Sequence, residues 1–389
     1  MGIPGTEPEK TVYTTLPAAS QQPVKPFLSY INLDLIIYIL GRSVFHPAIC
    51  LIGYLCIAAV HKHKEPIAFY TLYWTAFLCV VEILLYLNQR ITFGAPRDVD
   101  WERDVVVITG GGSGLGRVLM ESLVMRGVKV AVLDIKSADS EAEELMEGAG
   151  DLLWEQCDVG SQAQVQTSIA NIVKKLGPPT ILVNNAALPI HALPLLPSSS
   201  SNGTTKTATT TTTTTLAPEQ ALNTLTTNVA SHFNLLHAVL PHILASPTGG
   251  HIVTLSSILS HLSPSHLSDY AASKAAVSAL HNSLFHEIQA HSDSRVRRHV
   301  KTLLVEVGQM DTALFSMTRL PWWARFMGAV VEGKDVARWI TWYVERGEGG
   351  VLRLPFYARC VGAWWAVVPG ALERCLRWAS GVDRAVRRG

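Results

Sequence analysis

The chain has 389 residues and a formal net charge of +1, with 48 % hydrophobic and only 16 % charged residues. A charge so near zero creates no long-range field for nucleic acid, and the charged fraction falls below that of ordinary soluble domains. Six scattered cysteines, with no C-x-x-C pair and no metal-ligand spacing, suit reduced thiols better than a disulfide framework or a metal site.

Residues 1–34 form the lead-in, whose Pro-, Thr- and Ser-rich start carries no apolar period and predicts disorder. The apolar excess sits in 35–90. One stretch covers 35–60 and is interrupted by Arg42, His46 and Pro47; a second covers 67–87 and contains Glu82. A membrane span needs about 20 apolar residues, and each stretch is near that length. Together they predict a membrane hairpin, either spanning or shallow. If it spans, Arg42 and Glu82 would face each other, because a charge at mid-span is unfavourable. A cleaved secretory signal does not fit, since the first stretch lacks a basic lead and runs into His61-Lys62-His63-Lys64.

Over 101–354 the pattern changes. Short apolar runs at 104–109, 129–133, 152–156, 180–183, 251–255 and 301–305 read as buried strands. Helical stretches at 115–126, 162–175 and 218–244 alternate with them. This alternation predicts an α/β fold, a parallel sheet doubly wound with helices on both faces. An insertion at 197–217 is nearly all Ser and Thr and predicts a disordered surface segment. The last stretch, 355–389, is basic and Trp-rich, with Trp364, Trp365, Trp378, Arg374, Arg377, Arg384, Arg387 and Arg388. It reads equally as an interfacial amphipathic segment or as a packed extension.

The first strand runs into Thr109-Gly110-Gly111-Gly112-Ser113-Gly114-Leu115-Gly116, where a helix begins. Glycines let a pyrophosphate approach the backbone and rest on free N–H groups at the positive helix end. The second strand ends at Asp134, placed to accept hydrogen bonds from adenosine ribose hydroxyls. A carboxylate there repels a 2′-phosphate, so NAD is expected over NADP, with Lys136 the one neighbour that could soften the preference. Further on, Tyr270-Ala271-Ala272-Ser273-Lys274 puts Tyr and Lys on one helix face. A tyrosine has a pKa of about 10. A nearby ammonium is expected to lower it, making an acid/base pair for an alcohol/carbonyl couple.

These motifs resemble the short-chain dehydrogenase/reductase family over about residues 104–346. The resemblance is carried by the glycine string, Cys157-Asp158-Val159, Asn184-Asn185-Ala186-Ala187, Asn228, Ser256-Ser257 and Tyr270-x-x-x-Lys274. Within the family, Asn228-Val229-Ala230-Ser231-His232-Phe233 and Arg353-Leu354-Pro355-Phe356 resemble the membrane-anchored retinol and 17β-hydroxysteroid dehydrogenase branch.

The resemblance implies a Rossmann fold with a seven-stranded sheet and a catalytic set of Asn228, Ser257, Tyr270 and Lys274. Tyr270 would exchange the substrate proton, and Lys274 would hold the nicotinamide ribose. Ser257, in preference to Ser256, would bond the substrate oxygen, and Asn228 would position a relay water. Thr109, Gly110, Ser113, Gly114, Leu115, Gly116, Asp134, Asp158, Val159, Asn185, Ala186, Gly308 and Thr312 would join Tyr270 and Lys274 around the cofactor. Serine at 113, where NADP users often carry a basic residue, again favours NAD. Two departures stand out: Ala187 in place of the usual glycine, and Val307-Gly308 in place of Pro-Gly.

The expected reaction is hydride transfer between nicotinamide and a lipophilic alcohol or carbonyl of steroid, retinoid or long-chain lipid type. The expected setting is a membrane, at the endoplasmic reticulum or a lipid droplet, with the catalytic domain facing the cytosol. Membrane lipid and a second copy in a homodimer are the expected partners. An NADPH-dependent ketone reductase of lipid biosynthesis and an idle nucleotide-binding scaffold remain open. His232, His237 and His242, like His281, His286 and His291, recur every five residues and walk around a helix, so they are expected to be exposed or satisfied. The Asn202-Gly203-Thr204 sequon is expected to be a chance match. Trp322-Trp323 could roof a pocket or simply pack.

Overall fold

The computed structural model describes residues 32–60, 65–149, 151–196, 215–311, 326 and 328–384. Most of the predicted lead-in and insertion, with Asn202, Thr312, Trp322, Trp323, Arg387 and Arg388, lie outside these residues.

The predicted doubly wound sheet is present. Strands β1 (Val105–Thr109), β2 (Lys129–Asp134), β3 (Leu152–Gln156), β4 (Ile181–Asn184), β5 (Gly250–Ser257), β6 (Val300–Val307) and β7 (Gly350–Leu354) run parallel, in the order β3-β2-β1-β4-β5-β6-β7. β1 consists of VVVIT, buried at every position. Such β-branched runs suit a sheet covered on both faces. Successive residues point to opposite faces. Val106 and Ile108 therefore join one core with α4 (Gly114–Val124) and α12 (Gly333–Glu345). Val105 and Val107 join the other with α6 (Gln162–Lys175), α8 (Ser231–Ala245) and α10 (Ser268–Ala290). The order reverses between β1 and β4, which opens a crevice at the carboxyl ends of the strands.

Around this frame lie α5 (Ser140–Ala149), α7 (Pro218–Leu225), α9 (Leu259–Leu262), α11 (Ser294–His299), α13 (Phe356–Trp364) and α14 (Gly370–Ser380). The helix predicted over 218–244 is not uniform. A π turn, Thr226–Ala230, separates α7 from α8 and carries Asn228. Such one-residue expansions free a carbonyl from the regular ladder and recur at functional sites.

The N-terminal apolar region has the two expected arms, the first interrupted between Arg42 and Pro47. The first stretch is broken into α1 (Leu33–Gly41) and α2 (Pro47–Ala59), with Pro47 opening the second helix. Proline has no N–H to continue the preceding ladder and sits well in a first helical turn. With 13 residues, α2 is about 20 Å long, short of the roughly 30 Å hydrocarbon core. α3 (Pro66–Phe93) has 28 residues, its apolar window averages 1.8 in hydropathy, and 17 % of that window is buried. Among the described residues it is the one helix long and apolar enough to cross a membrane.

α3 joins the sheet only at its last turns. Gln89 donates to the Gly349 carbonyl (2.7 Å), and Lys301 Nζ donates to the Phe93 carbonyl (2.9 Å). The following linker is pinned by a buried ion pair, Arg97 Nη2 to Asp104 Oδ2 at 2.9 Å, supported by Thr180 Oγ1 donating to Asp104 Oδ1 at 2.6 Å.

Candidate active site

The turn after β1 is built around contacts that only glycine permits. A Cβ on Gly116 would lie 2.1 Å from the Gly110 carbonyl oxygen, and Gly110 itself holds φ +67°. The start of α4 is therefore drawn against the turn, with its first N–H groups facing the crevice. Gly112 N–H donates to Asp134 Oδ2 (2.8 Å) and Lys136 N–H to Asp134 Oδ1 (3.0 Å), which aims the carboxylate from the end of β2. Each oxygen keeps a lone pair for a further donor.

Thr109 has a structural place beneath the turn. Its Oγ1 accepts from Asn185 N–H (2.9 Å) and Ala186 N–H (3.0 Å), and Asn185 Nδ2 donates to the carbonyls of Thr109 (2.9 Å) and Gly110 (3.1 Å). The first turn and the loop after β4 are thereby clamped together. The resulting cleft, of 480 Å³, is lined by Gly110, Ser113, Gly114, Leu115, Asp134, Asp158, Val159, Asn185, Ala186, Tyr270 and Lys274, among others. Of the residues expected at the cofactor, Thr109 and Gly116 lie behind this wall. Gly308 is packed too closely against Tyr357 to line it, a Cβ there falling 2.2 Å from the Tyr357 hydroxyl; Val307 and Met310 occupy that part of the wall instead.

Tyr270 and Lys274 share the face of α10 turned to the cleft, and both are nearly fully buried. Lys274 Nζ donates to the Leu255 carbonyl (2.9 Å) and lies 5.7 Å from the Tyr270 ring centroid. Burial pushes the Lys274 ammonium down to about 8. It also pushes the Tyr270 phenol up, so the expected lowering of Tyr270 by its lysine does not hold. The reason is desolvation: neither charged form has water, and the lysine is committed to a carbonyl.

Ser256 lines the cleft and Ser257 does not. Ser256 Oγ is held inward by the Lys274 carbonyl (3.1 Å) and Ser278 Oγ (2.7 Å). Ser257 Oγ donates to the Val307 carbonyl (3.1 Å) and accepts from Leu259 N–H (3.2 Å). Asn228, fully buried in the π turn, bridges two pieces of the site. Its Oδ1 accepts from Leu188 N–H (2.9 Å), and its Nδ2 donates to Ser273 Oγ (3.0 Å).

Three features have no local signature in sequence. His191 Nδ1 lies 2.9 Å from Asp269 Oδ2, and Thr224 Oγ1 donates to the same oxygen (3.0 Å), beside Tyr270. His261 and Arg353 both bond Glu306, at 2.8 and 2.6 Å. Burial raises the Glu306 carboxyl, but those two hydrogen bonds and the Arg353 charge outweigh it and hold the group below the usual range. Thirdly, His232, His251 and His281 are buried with unpartnered ring nitrogens, contrary to the expectation for His232 and His281. Burial drives His232 down to about 3 and His281 to about 4, and puts His251 well below its ordinary value. All three stay neutral because their ring nitrogens have no water to stabilise a charge.

The family described as short chain dehydrogenase matches residues 104–320. The uncharacterized oxidoreductase TDA5 of Saccharomyces cerevisiae is 27 % identical over 316 residues, 81 % of this chain and 86 % of that protein. Human retinol dehydrogenase 10 is 28 % identical over 58 % of this chain and 67 % of its own. Human short-chain dehydrogenase/reductase 3 is 33 % identical over 48 % of this chain and 56 % of its own. In fold, a short chain dehydrogenase from Burkholderia cenocepacia in complex with NADP covers 72 % of this chain and 99 % of its own, with a TM-score of 0.53 at 22 % identity. A 3-ketoacyl-(acyl-carrier-protein) reductase from Brucella melitensis complexed with NADH gives 0.51 at 21 % identity, covering 66 % of this chain and 98 % of its own. The chain belongs to the short-chain dehydrogenase family of oxidoreductases and resembles its retinol dehydrogenase branch.

Proposed function

We propose that this short-chain dehydrogenase moves a hydride between NAD and a lipophilic alcohol or carbonyl, of the steroid, retinoid or long-chain lipid type. The single observation that carries the reading is one cleft holding Asp134 and the glycine turn at one end and Tyr270 with Lys274 at the other. The glycine cradle, which a Cβ at position 116 would fill, fits the pyrophosphate of a dinucleotide. Asp134 favours free ribose hydroxyls over a 2′-phosphate. A bound nicotinamide supplies the hydride acceptor in oxidation and the donor in reduction.

The chain's own residues handle the proton. Tyr270 donates its phenolic proton to the carbonyl oxygen in reduction and, as phenolate, removes the alcohol proton in oxidation. Burial favours the neutral phenol, so carbonyl reduction proceeds at neutral pH, whereas alcohol oxidation gains rate as pH rises into the alkaline range. Lys274, lowered to about 8 by burial, sits one helical turn from Tyr270 and gives its proton up more readily than a solvated lysine. Ser257 would have to give up its bond to the Val307 carbonyl to meet a substrate oxygen, whereas Ser256 already lines the cleft.

Two further observations support a lipid substrate and a membrane setting. α3 is long and apolar enough to span, and retinol dehydrogenase 10 is among the relatives. The location this favours is the endoplasmic reticulum or a lipid droplet, with the catalytic domain toward the cytosol. The test is oxidation of a panel of retinoid, steroid and long-chain alcohols with NAD or NADP, wild type against Tyr270→Phe. Turnover with NAD should drop by about 10² to 10⁴-fold in the variant. Turnover that survives Tyr270→Phe would remove Tyr270 as the proton donor and leave the family's fold without the proposed chemistry.

A further inference from the structure

Glu306, near the carboxyl end of β6, is a charged residue only 2 % exposed. Its neighbours across the sheet are Ser256 of β5 and Arg353 of β7. Paired residues on adjacent strands point to the same face, so Glu306 shares with Ser256 the face that α10 covers. A carboxylate without partners is strongly unfavourable in such a place. Two donors offset this. His261 Nε2 lies 2.8 Å from Oε1, and Arg353 Nε donates to Oε2 at 2.6 Å. These bonds and the Arg353 charge keep the carboxyl below its usual range against the opposing effect of burial. An ionised carboxylate only accepts, so His261 carries a proton on Nε2.

Each donor brings a different part of the catalytic end to Glu306. His261 belongs to α9, the single turn that follows the serine pair. Leu259 N–H donates to Ser257 Oγ (3.2 Å), Ser260 Oγ donates to the Ser257 carbonyl (2.6 Å), and Ile258 N–H donates to the Val307 carbonyl (3.0 Å). None of the four α9 residues is buried, so packing gives this turn little hold. It is tied to β6 at its start by Val307 and near its end by Glu306. Arg353 lies beneath α13. Gly362 of that helix rests directly on its side chain, where a Cβ would overlap Nε. From the same helix the Tyr357 hydroxyl accepts the Gln309 N–H (3.4 Å), while Gly308 N–H donates to the Leu354 carbonyl (2.7 Å). Arg353 and α13 both lie beyond residues 104–320, the stretch that matches the family. Glu306 is therefore where the C-terminal extension meets the serine strand. Charge-assisted bonds of this kind fix direction as well as distance.

We propose that Glu306 is a positioning residue for the serine pair, and that through Arg353 the C-terminal helix α13 sets the geometry of the substrate end of the cleft. The effect on turnover rests on the hydride-transfer reading given above; the coupling of α13 to the serine turn does not. Glu306 itself touches neither substrate nor cofactor. It acts through α9, which shapes the end of β5, and leaves the glycine turn on the far side of the cleft untouched.

The test compares the full-length protein with Glu306→Gln and Gly362→Val. The first keeps the shape and an acceptor but removes the charge, and Arg353, whose side chain is partly exposed, can then turn to water. The second presses on the flexible Arg353 side chain from α13 and draws it away from Glu306. Amide exchange over 258–263 should quicken by about tenfold or more in both variants, with 105–116 unchanged. With NAD and the alcohols that wild type oxidises, kcat should fall by about tenfold in both. NADH affinity, read by fluorescence titration, should stay within about two-fold, because its site is distant. Unchanged exchange in either variant overturns the coupling, whatever the activity. Faster exchange with full kcat overturns the positioning role and leaves Glu306 a structural group. NADH binding lost together with kcat would mean general unfolding, and would overturn it as well. A wild type that oxidises none of the alcohols defeats the hydride-transfer reading instead, and the exchange result alone then upholds or overturns the coupling.

Discussion

On the dinucleotide side of the cleft, the backbone positions with positive φ are glycines: Gly110 and Gly114 in the turn and Gly127 after α4. On the Tyr270 side Gly249 precedes β5 in the same conformation, but Ala192, Ser263 and His266 adopt it too, without glycine's freedom. The first set needs no outside help, since glycine adopts that conformation at no steric cost. The second set is unfavourable by about 1–2 kcal/mol per residue and persists only where surrounding contacts impose it. Those contacts are visible: Arg377 on the Ser263 carbonyl, Asp383 on Ser265, and His191 on Asp269 near Ala192. On the second side burial also presses several groups toward their neutral forms. Tyr270, Lys274, His232, His251 and His281 all belong to β5, α8 and α10. One half of the cleft is thus specified locally, and the other is held in place by distant parts of the chain.

The largest expected break in this comparison is acid. Above pH about 6.5 the three buried histidines are neutral in both folded and unfolded chains and contribute nothing to the pH dependence. As pH falls, the unfolded chain takes up protons that the folded one refuses until about pH 4 for His281 and about 3 for His232. Stability should therefore fall between those limits, by about 4 kcal/mol at pH 5 from His232 and His281 alone. Urea midpoints at pH 7.5 and 5.0 measure it. Hydrogen exchange should show α8 and α10 opening before β1–β3, and equal midpoints would mean that the histidines find partners.

Next comes Gly116→Ala, which drives a methyl group into the Gly110 carbonyl. A loss of about 3 kcal/mol is expected, with dinucleotide affinity weakened in titration calorimetry. An unchanged affinity would mean that the turn relaxes and that the dinucleotide side is less tightly specified than its glycines imply.

A smaller effect, about 1–2 kcal/mol, is expected for Arg377→Ala, which removes hydrogen bonds from a charged donor to two carbonyls. Its mark should be faster amide exchange over 259–267 with no change in the turn at 110–116. Last is Ala192→Gly, which relieves a left-handed alanine at φ 56°. It should raise stability by at most about 1 kcal/mol, read as a higher melting temperature. A fall instead would show that the Ala192 side chain contributes more by packing than its backbone loses by strain.

How much was legible before the tertiary structure follows from the same division. The strands at 129–134 and 152–156, the helix at 162–175 and the turn at 109–116 are contiguous patterns, so apolar period and glycine spacing suffice to place them. The π turn at Asn228 leaves no such pattern, because an expanded turn uses the same residues as a regular one. The break at Pro47 was visible as a proline, yet its consequence, a single helix of spanning length, depends on how the chain turns at Arg42–His46.

By itself, the sequence determined the alternation of strands with helices, the acidic end of β2 and the pairing of Tyr270 with Lys274, since each depends on residues a few positions apart. Only the tertiary structure decided which serine faces the cleft and that burial raises Tyr270 against its lysine. It also decided that Asp34 and Arg377, 322 and 115 residues from their partners, close on the same end of the sheet. The reason is physical. Desolvation and long-range hydrogen bonds depend on what packs around a group, and that is set by the whole fold and not by the neighbouring residues.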